Sequence, residues 1–134
     1  MFDNKLKEIF KKVIREQYDN LRVERDIIIW FCHYLIEEFK ERVKWQSEKE
    51  NYDLYLKIDD NVEYYCEFKY FWEGGIYVKK DVEKLTKKKD VAKVCFFAFY
   101  NIKFRDTWAV ENKIKDMEKK GIIVEMIAAD SFRI

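Results

Sequence analysis

A mixed β-sheet with helices on its faces is the fold class predicted for this chain, and three observations predict it. Helical stripes and strand-like runs follow one another in the order α-(α)-β-β-β-α-β-α-β. The stretch YDLYLKIDDNVEYYCEFKYF, residues 52–71, alternates as a hairpin does. VAKVCFFAFY and GIIVEMIAA are almost unbroken apolar runs, as strands covered on both faces are. At 134 residues the simplest organisation is one domain over 1–134, with 1–20 as a helical extension at its N-terminus.

The elements follow in order. Phe2, Leu6, Ile9, Phe10, Val13 and Ile14 form one apolar stripe, so residues 3–19 are predicted to be an amphipathic helix. A second helix is predicted from about Val23 to Arg42, its middle DIIIWFCHYLIEEF apolar on most sides and suited to burial against a sheet and another helix. Asp19-Asn20 can separate the two helices, and one long helix is the alternative. VKWQSE, 43–48, reads as a first strand. Tyr52–Ile58 and Val62–Phe71 form the hairpin around Asp59-Asp60-Asn61, and Gly74-Gly75 ends that section. Val78, Val82 and Leu85 mark a short helix over 77–89, and residues 91–100 a central strand. Trp108–Lys120 is the last helix, with Val110, Ile114 and Met117 inward and Gly121 just past its end. Residues 121–129 close the sheet as another buried strand.

Composition narrows the function classes. Aromatics at 18% exclude general disorder, and charged residues at 40% nearly cancel to +1, so nucleic-acid binding has to come from local patches. No run of about 18 uncharged apolar residues occurs, and MFDNKLKEIF is amphipathic rather than signal-like. A cytoplasmic protein without a membrane partner is expected. Cys32, Cys66 and Cys95 are scattered through apolar runs, which fits reduced, buried thiols rather than a disulfide set or a zinc site. His33 is the only histidine and reads as a half-buried helix residue rather than a ligand or a catalytic base.

The hairpin holds the chemistry. Leu54, Leu56 and Ile58 share one face of their strand, and Asp53, Tyr55 and Lys57 share the other. Across the turn, Tyr64, Cys66, Phe68 and Tyr70 form the apolar set, and Glu63, Tyr65, Glu67 and Lys69 the polar one. Residues directly opposite in an antiparallel pair point to the same side of the sheet. A three-residue loop at Asp59–Asn61 therefore pairs Ile58 with Val62 and sets Asp53 opposite Glu67, whereas a two-residue loop throws Asp53 to the wrong face. Two facing carboxylates repel unless a cation lies between them, and either Lys69 or a divalent metal with hard oxygen ligands meets that need. The acid-x-lysine spacing also occurs at Asp3/Lys5, Glu38/Lys40, Glu111/Lys113 and Glu118/Lys120. All of these fall on predicted helices, as solvated charged faces do.

Asp53, then thirteen residues, then Glu67-Phe68-Lys69 on the second and third strands of an αβββαβ core resembles the PD-(D/E)XK nuclease superfamily, the restriction-endonuclease-like fold. The resemblance spans roughly Val23 to Ala128 and is mainly topological, the triad being its sequence motif. It implies a Mg²⁺- or Mn²⁺-dependent DNA endonuclease. Asp53, Glu67 and the backbone carbonyl of Phe68 would hold the metal, and Lys69 would position or activate the attacking water. Many members add an acid from the helix before the sheet. Glu24, in phase with Ile27, Ile28 and Phe31, is the candidate here, with Glu38 the runner-up. Tyr52 stands where the name's proline would be. No Gln-x-x-x-Tyr follows in 77–89, which argues against the exonuclease-helicase branch, and the basic and serine pattern of archaeal-type junction resolvases is missing around the first strands.

Lys79, Lys80, Lys84, Lys87, Lys88, Lys89 and Lys93 form the densest basic run. Lys80, Lys84, Lys87 and Lys88 are candidate contacts to the phosphates of duplex or branched DNA, and a solvated helix face diluted by Asp81 and Glu83 is the other reading. Tyr55, Tyr65 and Trp72 fall near the site, where their rings either pack under a covering helix or stack on bases. So small a chain has few elements with which to enclose a duplex, so a homodimer is expected. The alternative function is a non-catalytic nucleic-acid-binding or assembly module on the same fold, with Lys69 merely neutralising the acids.

Overall fold

The computed structural model describes residues 2–71, 77–100 and 107–129, with the side chains of Thr107 and Trp108 outside the description. Gly74-Gly75 lies outside it as well. Helix α1 runs over Asp3–Gln17 and buries Leu6, Ile9, Phe10, Val13 and Ile14, the predicted stripe. A 3₁₀ turn at Tyr18–Asn20 separates it from α2, Glu24–Phe39, so there are two helices. Asp26 starts the second one by accepting hydrogen bonds from the backbone N–H of Arg22 (2.8 Å) and Val23 (3.1 Å), which satisfies amides the helix itself cannot.

Among the described residues the strands are β1 (Val43–Ser47), β2 (Leu54–Ile58), β3 (Val62–Phe71), β4 (Lys93–Tyr100) and β5 (Ile123–Ala128), in spatial order β1-β2-β3-β4-β5. The first three form an antiparallel meander, and β3, β4 and β5 are parallel. Helices α3, Lys79–Thr86, and α4, Thr107–Lys119, fall between the parallel strands, where crossovers are required. The predicted 77–89 helix is thus shorter than expected. Its tail, Lys87–Lys89, leaves the helix where no apolar residue continues the stripe.

The sheet separates two apolar layers. Leu54, Leu56, Ile58, Tyr64, Cys66, Phe68, Cys95, Phe97 and Phe99 pack with α1 and α2. Tyr55, Tyr65, Val94, Phe96, Ala98, Val124 and Met126 pack with Val82 and Leu85 of α3 and with Val110 and Met117 of α4. Strand β4 is covered on both faces, as its apolar run requires. Strand β5 differs from expectation: it lies at the sheet's edge, and Ile123, Glu125 and Ala128 are only partly buried. Helix α2 is not covered all round either. Ile29 and Ile36 are 56% and 43% exposed, because the sheet and α1 meet only its other side. His33 also departs from its reading; it is exposed and lies 3.1 Å from the Glu37 carboxylate. All three cysteines are free and buried. Cys66 and Cys95 are neighbours across the parallel strands, and burial raises the thiol pKa of both Cys32, to about 11, and Cys66.

Phe10, Phe31, Phe68 and Phe97 interlock at the centre of the first layer, with ring centroids 5.0–6.3 Å apart. Phe97→Ala removes a ring that touches the other three and is expected to cost about 3–5 kcal/mol. A lowered denaturant midpoint with an unchanged slope checks this.

The hairpin has the predicted register. Ile58 pairs with Val62 and Leu54 with Cys66, around a three-residue loop in which Asp59 and Asp60 take positive φ of 56° and 61°. Asp59 is fixed there by Arg42, whose guanidinium donates to both carboxylate oxygens at 2.7 Å and whose carbonyl accepts from the Asp59 N–H. Among the described residues no helix is long and apolar enough to cross a membrane.

Candidate metal centre

Strand β2 begins at Leu54, opposite Cys66, while β3 continues to Phe71. Beyond Cys66, among the described residues, β3 has β4 on one side and no strand on the other, which leaves a notch in the sheet. The backbone amides facing it are met by carboxylates. Phe68 N–H donates to Asp53 Oδ2 at 2.8 Å, and Tyr70 N–H donates to Glu24 at the first turn of α2. A strand residue's N–H and C=O point to the same side, so the Phe68 carbonyl also faces the notch.

Asp53 and Glu67 meet side by side, as the three-residue loop requires, and their carboxyl groups share a hydrogen bond. Glu67 is only 3% exposed. Burial, then the hydrogen bond with Asp53, pushes its pKa up to about 8 against the pull of Lys84. Lys69 lies 3.5 Å from Asp81 of α3, with Glu24 and Asp53 also near it. Burial works against its charge, but Asp81, Glu24 and Asp53 together outweigh that effect and raise its pKa. Glu24 and Asp81 are each raised chiefly by burial, with Lys69 opposing. Glu24, Asp53, Glu67 and Lys69 are therefore brought together, from α2, the start of β2, and β3. Glu38 is not; it is exposed and pairs with Lys5 at 2.9 Å.

Two residues of α3 complete the cluster. Asp81, 8% exposed, is the partner of Lys69, and Lys84 forms an ion pair with Glu67 Oε1. The sequence carried a signal for Asp81: Val78, Asp81, Val82 and Leu85 follow the spacing of one buried helical stripe. Lys84 was read as a phosphate contact but turns inward, as does Lys88, which pairs with Glu50 at 2.6 Å. Lys80 and Lys87 are exposed. Tyr55 and Tyr65 pack together in the second apolar layer, their rings tilted with centroids 5.1 Å apart, which is the packing alternative, whereas Trp72 lies outside the described residues.

The donor chemistry fits a hard divalent cation. Glu67 Oε1 is buried and makes no well-aligned hydrogen bond, despite its contact with Lys84. Glu67 adjoins a second carboxylate, that of Asp53, and the Phe68 carbonyl faces the notch, oxygen ligands of the kind Mg²⁺ takes beside water. Among the described residues no three acid, histidine or cysteine side chains are grouped so as to hold a metal ion by themselves. A groove of about 810 Å³ between α2 and β1 opens onto Glu24 and Asp53, past Ile28, Ile29 and Trp45. No family model, curated protein or solved structure matches this chain.

Proposed function

We propose that this protein is a metal-dependent DNA endonuclease of the PD-(D/E)XK type, acting as a homodimer on duplex or branched DNA. The observation that carries the reading is the meeting of Asp53 and Glu67 at the open side of β3, with Lys69 and Glu24 beside them. The order α2-β1-β2-β3-α3-β4 supports it, being that of an αβββαβ core. Asp53, Glu67 and the Phe68 carbonyl would hold Mg²⁺ or Mn²⁺, with Glu24 adding an acid from the helix. When bound, the ion stabilises charge on the phosphodiester and lowers the pKa of water. Lys69 is kept charged by its acidic neighbours, so it serves as a hydrogen-bond donor that orients water or a phosphate oxygen. Asp81 holds that ammonium in place. Exposed Lys80 and Lys87 add salt-dependent, sequence-independent affinity for phosphates.

Purified protein with Mg²⁺ or Mn²⁺ is expected to nick or cut at least one of plasmid, branched or single-stranded DNA. Intact substrates throughout, with no metal binding by calorimetry, would exclude the reading. A non-catalytic nucleic-acid-binding or assembly module is the second reading. It is favoured by one observation: Lys84 and Lys69 already neutralise Glu67 and Asp81 internally. In that case Asp53→Ala leaves DNA affinity unchanged.

A further inference from the structure

We infer that Lys84 is a built-in counter-cation that occupies Glu67 until a divalent ion displaces it, so that α3 controls metal loading. The inference rests on the metal-site reading above and concerns what governs occupancy of that site. In the ionised form that a metal ion takes, Glu67 cannot be left alone: it is 3% exposed and lies beside Asp53. The cation that answers this charge is the Lys84 ammonium, at Glu67 Oε1. Lys69 does not do it, because Asp81 is its ion-pair partner at 3.5 Å. One ammonium offsets one of the two adjoining carboxylates, whereas a divalent ion offsets both.

Lys84 is also built to leave. It is a third exposed. Its ammonium has two other partners within reach, the Asn51 carbonyl and the Tyr52 ring at 4.8 Å. Its backbone carbonyl accepts from Tyr52 O–H at 2.5 Å, which keeps this part of α3 docked while the side chain moves. The neighbouring Lys88 makes a parallel arrangement one turn on, over the Tyr65 ring at 4.7 Å and paired with Glu50, but it does not touch Glu67. Lys84 therefore competes with the ion by contact, and Lys88 contributes only to the local field.

The two lysines make the test. Mn²⁺ titrated into Lys84→Met, by calorimetry and by loss of the free-ion paramagnetic resonance signal, is expected to bind on the order of tenfold more tightly than into wild type. Lys88→Met, which removes the same charge nearby, is expected to leave the affinity within about twofold of wild type. Lys84→Gln, which keeps a donor for the Asn51 carbonyl, replaces Lys84→Met if the latter does not fold. Equal or weaker Mn²⁺ binding by the Lys84 variant overturns the inference, as does an equal gain in Lys88→Met. If wild type binds Mn²⁺ in a manner that Asp53→Asn abolishes, while Lys84→Met changes nothing, this inference alone fails. If neither wild type nor Lys84→Met binds Mn²⁺, it fails together with the metal-site reading.

Discussion

Lys69→Ala is expected to lower metal-dependent DNA cleavage by about 100-fold or more, the scale on which a positioned proton-handling or water-orienting side chain acts. Strand β3 sets this ammonium against Asp81, with Glu24 and Asp53 also near it. Its loss also leaves Asp81, a buried acid, without its ion-pair partner, so some stability is lost as well. The two consequences separate experimentally. Single-turnover cleavage reads the chemistry, Mn²⁺ calorimetry reads the Asp53–Glu67 site, and thermal unfolding reads the fold. A variant that binds Mn²⁺ and unfolds cooperatively yet does not cleave assigns Lys69 to the reaction. Cleavage at the wild-type rate would remove it.

The second large effect is a fall in stability with rising pH, in chelator, through Glu67. Its pKa in the folded protein is about 8, against an ordinary 4.5. Between those values the folded state keeps a proton that the unfolded chain has released. This contribution is therefore fully present below the unfolded value and is lost as pH rises through the folded one. From about pH 5 to about pH 8 the loss is on the order of 3 kcal/mol. Glu24 and Asp81, also raised, act in the same direction. Asp3, lowered by its hydrogen bonds with Tyr64 and Lys93 in spite of burial, acts oppositely, its stabilisation being lost only as pH falls below the ordinary carboxylate range. Urea midpoints of wild type should fall across this window, and those of Glu67→Gln should change much less. A wild-type midpoint that rises toward pH 8 contradicts the raised pKa.

What was legible in the sequence was whatever periodicity fixes. Strand alternation alone set Asp53 against Glu67, because a one-residue slip would have turned Leu54, Leu56 and Ile58 out of the core. The unbroken run in β4 gave its two-sided burial for the same reason. What was not legible depends on how separate elements dock. Lys84 looked like one of seven surface lysines until α3 was laid across β3, where it reaches Glu67. Ile29 and Ile36 looked buried because hydropathy counts apolar residues without knowing how many neighbours a helix has. Strand β5 was expected to be buried for the same reason, since an apolar run does not reveal that, among the described residues, it borders one other strand. Glu24 lies between these cases: helix phase placed it toward the core, and the short β2 left the Tyr70 amide for it to meet.

The most direct test of the proposed metal centre is a crystal soaked in Mn²⁺, with data collected for the anomalous signal of the ion. The arrangement of the notch predicts one manganese bridging Asp53 and Glu67, with the Lys84 ammonium moved off Glu67. A crystal in which manganese is missing from these carboxylates, with Lys84 still against Glu67 at saturating Mn²⁺, would contradict it.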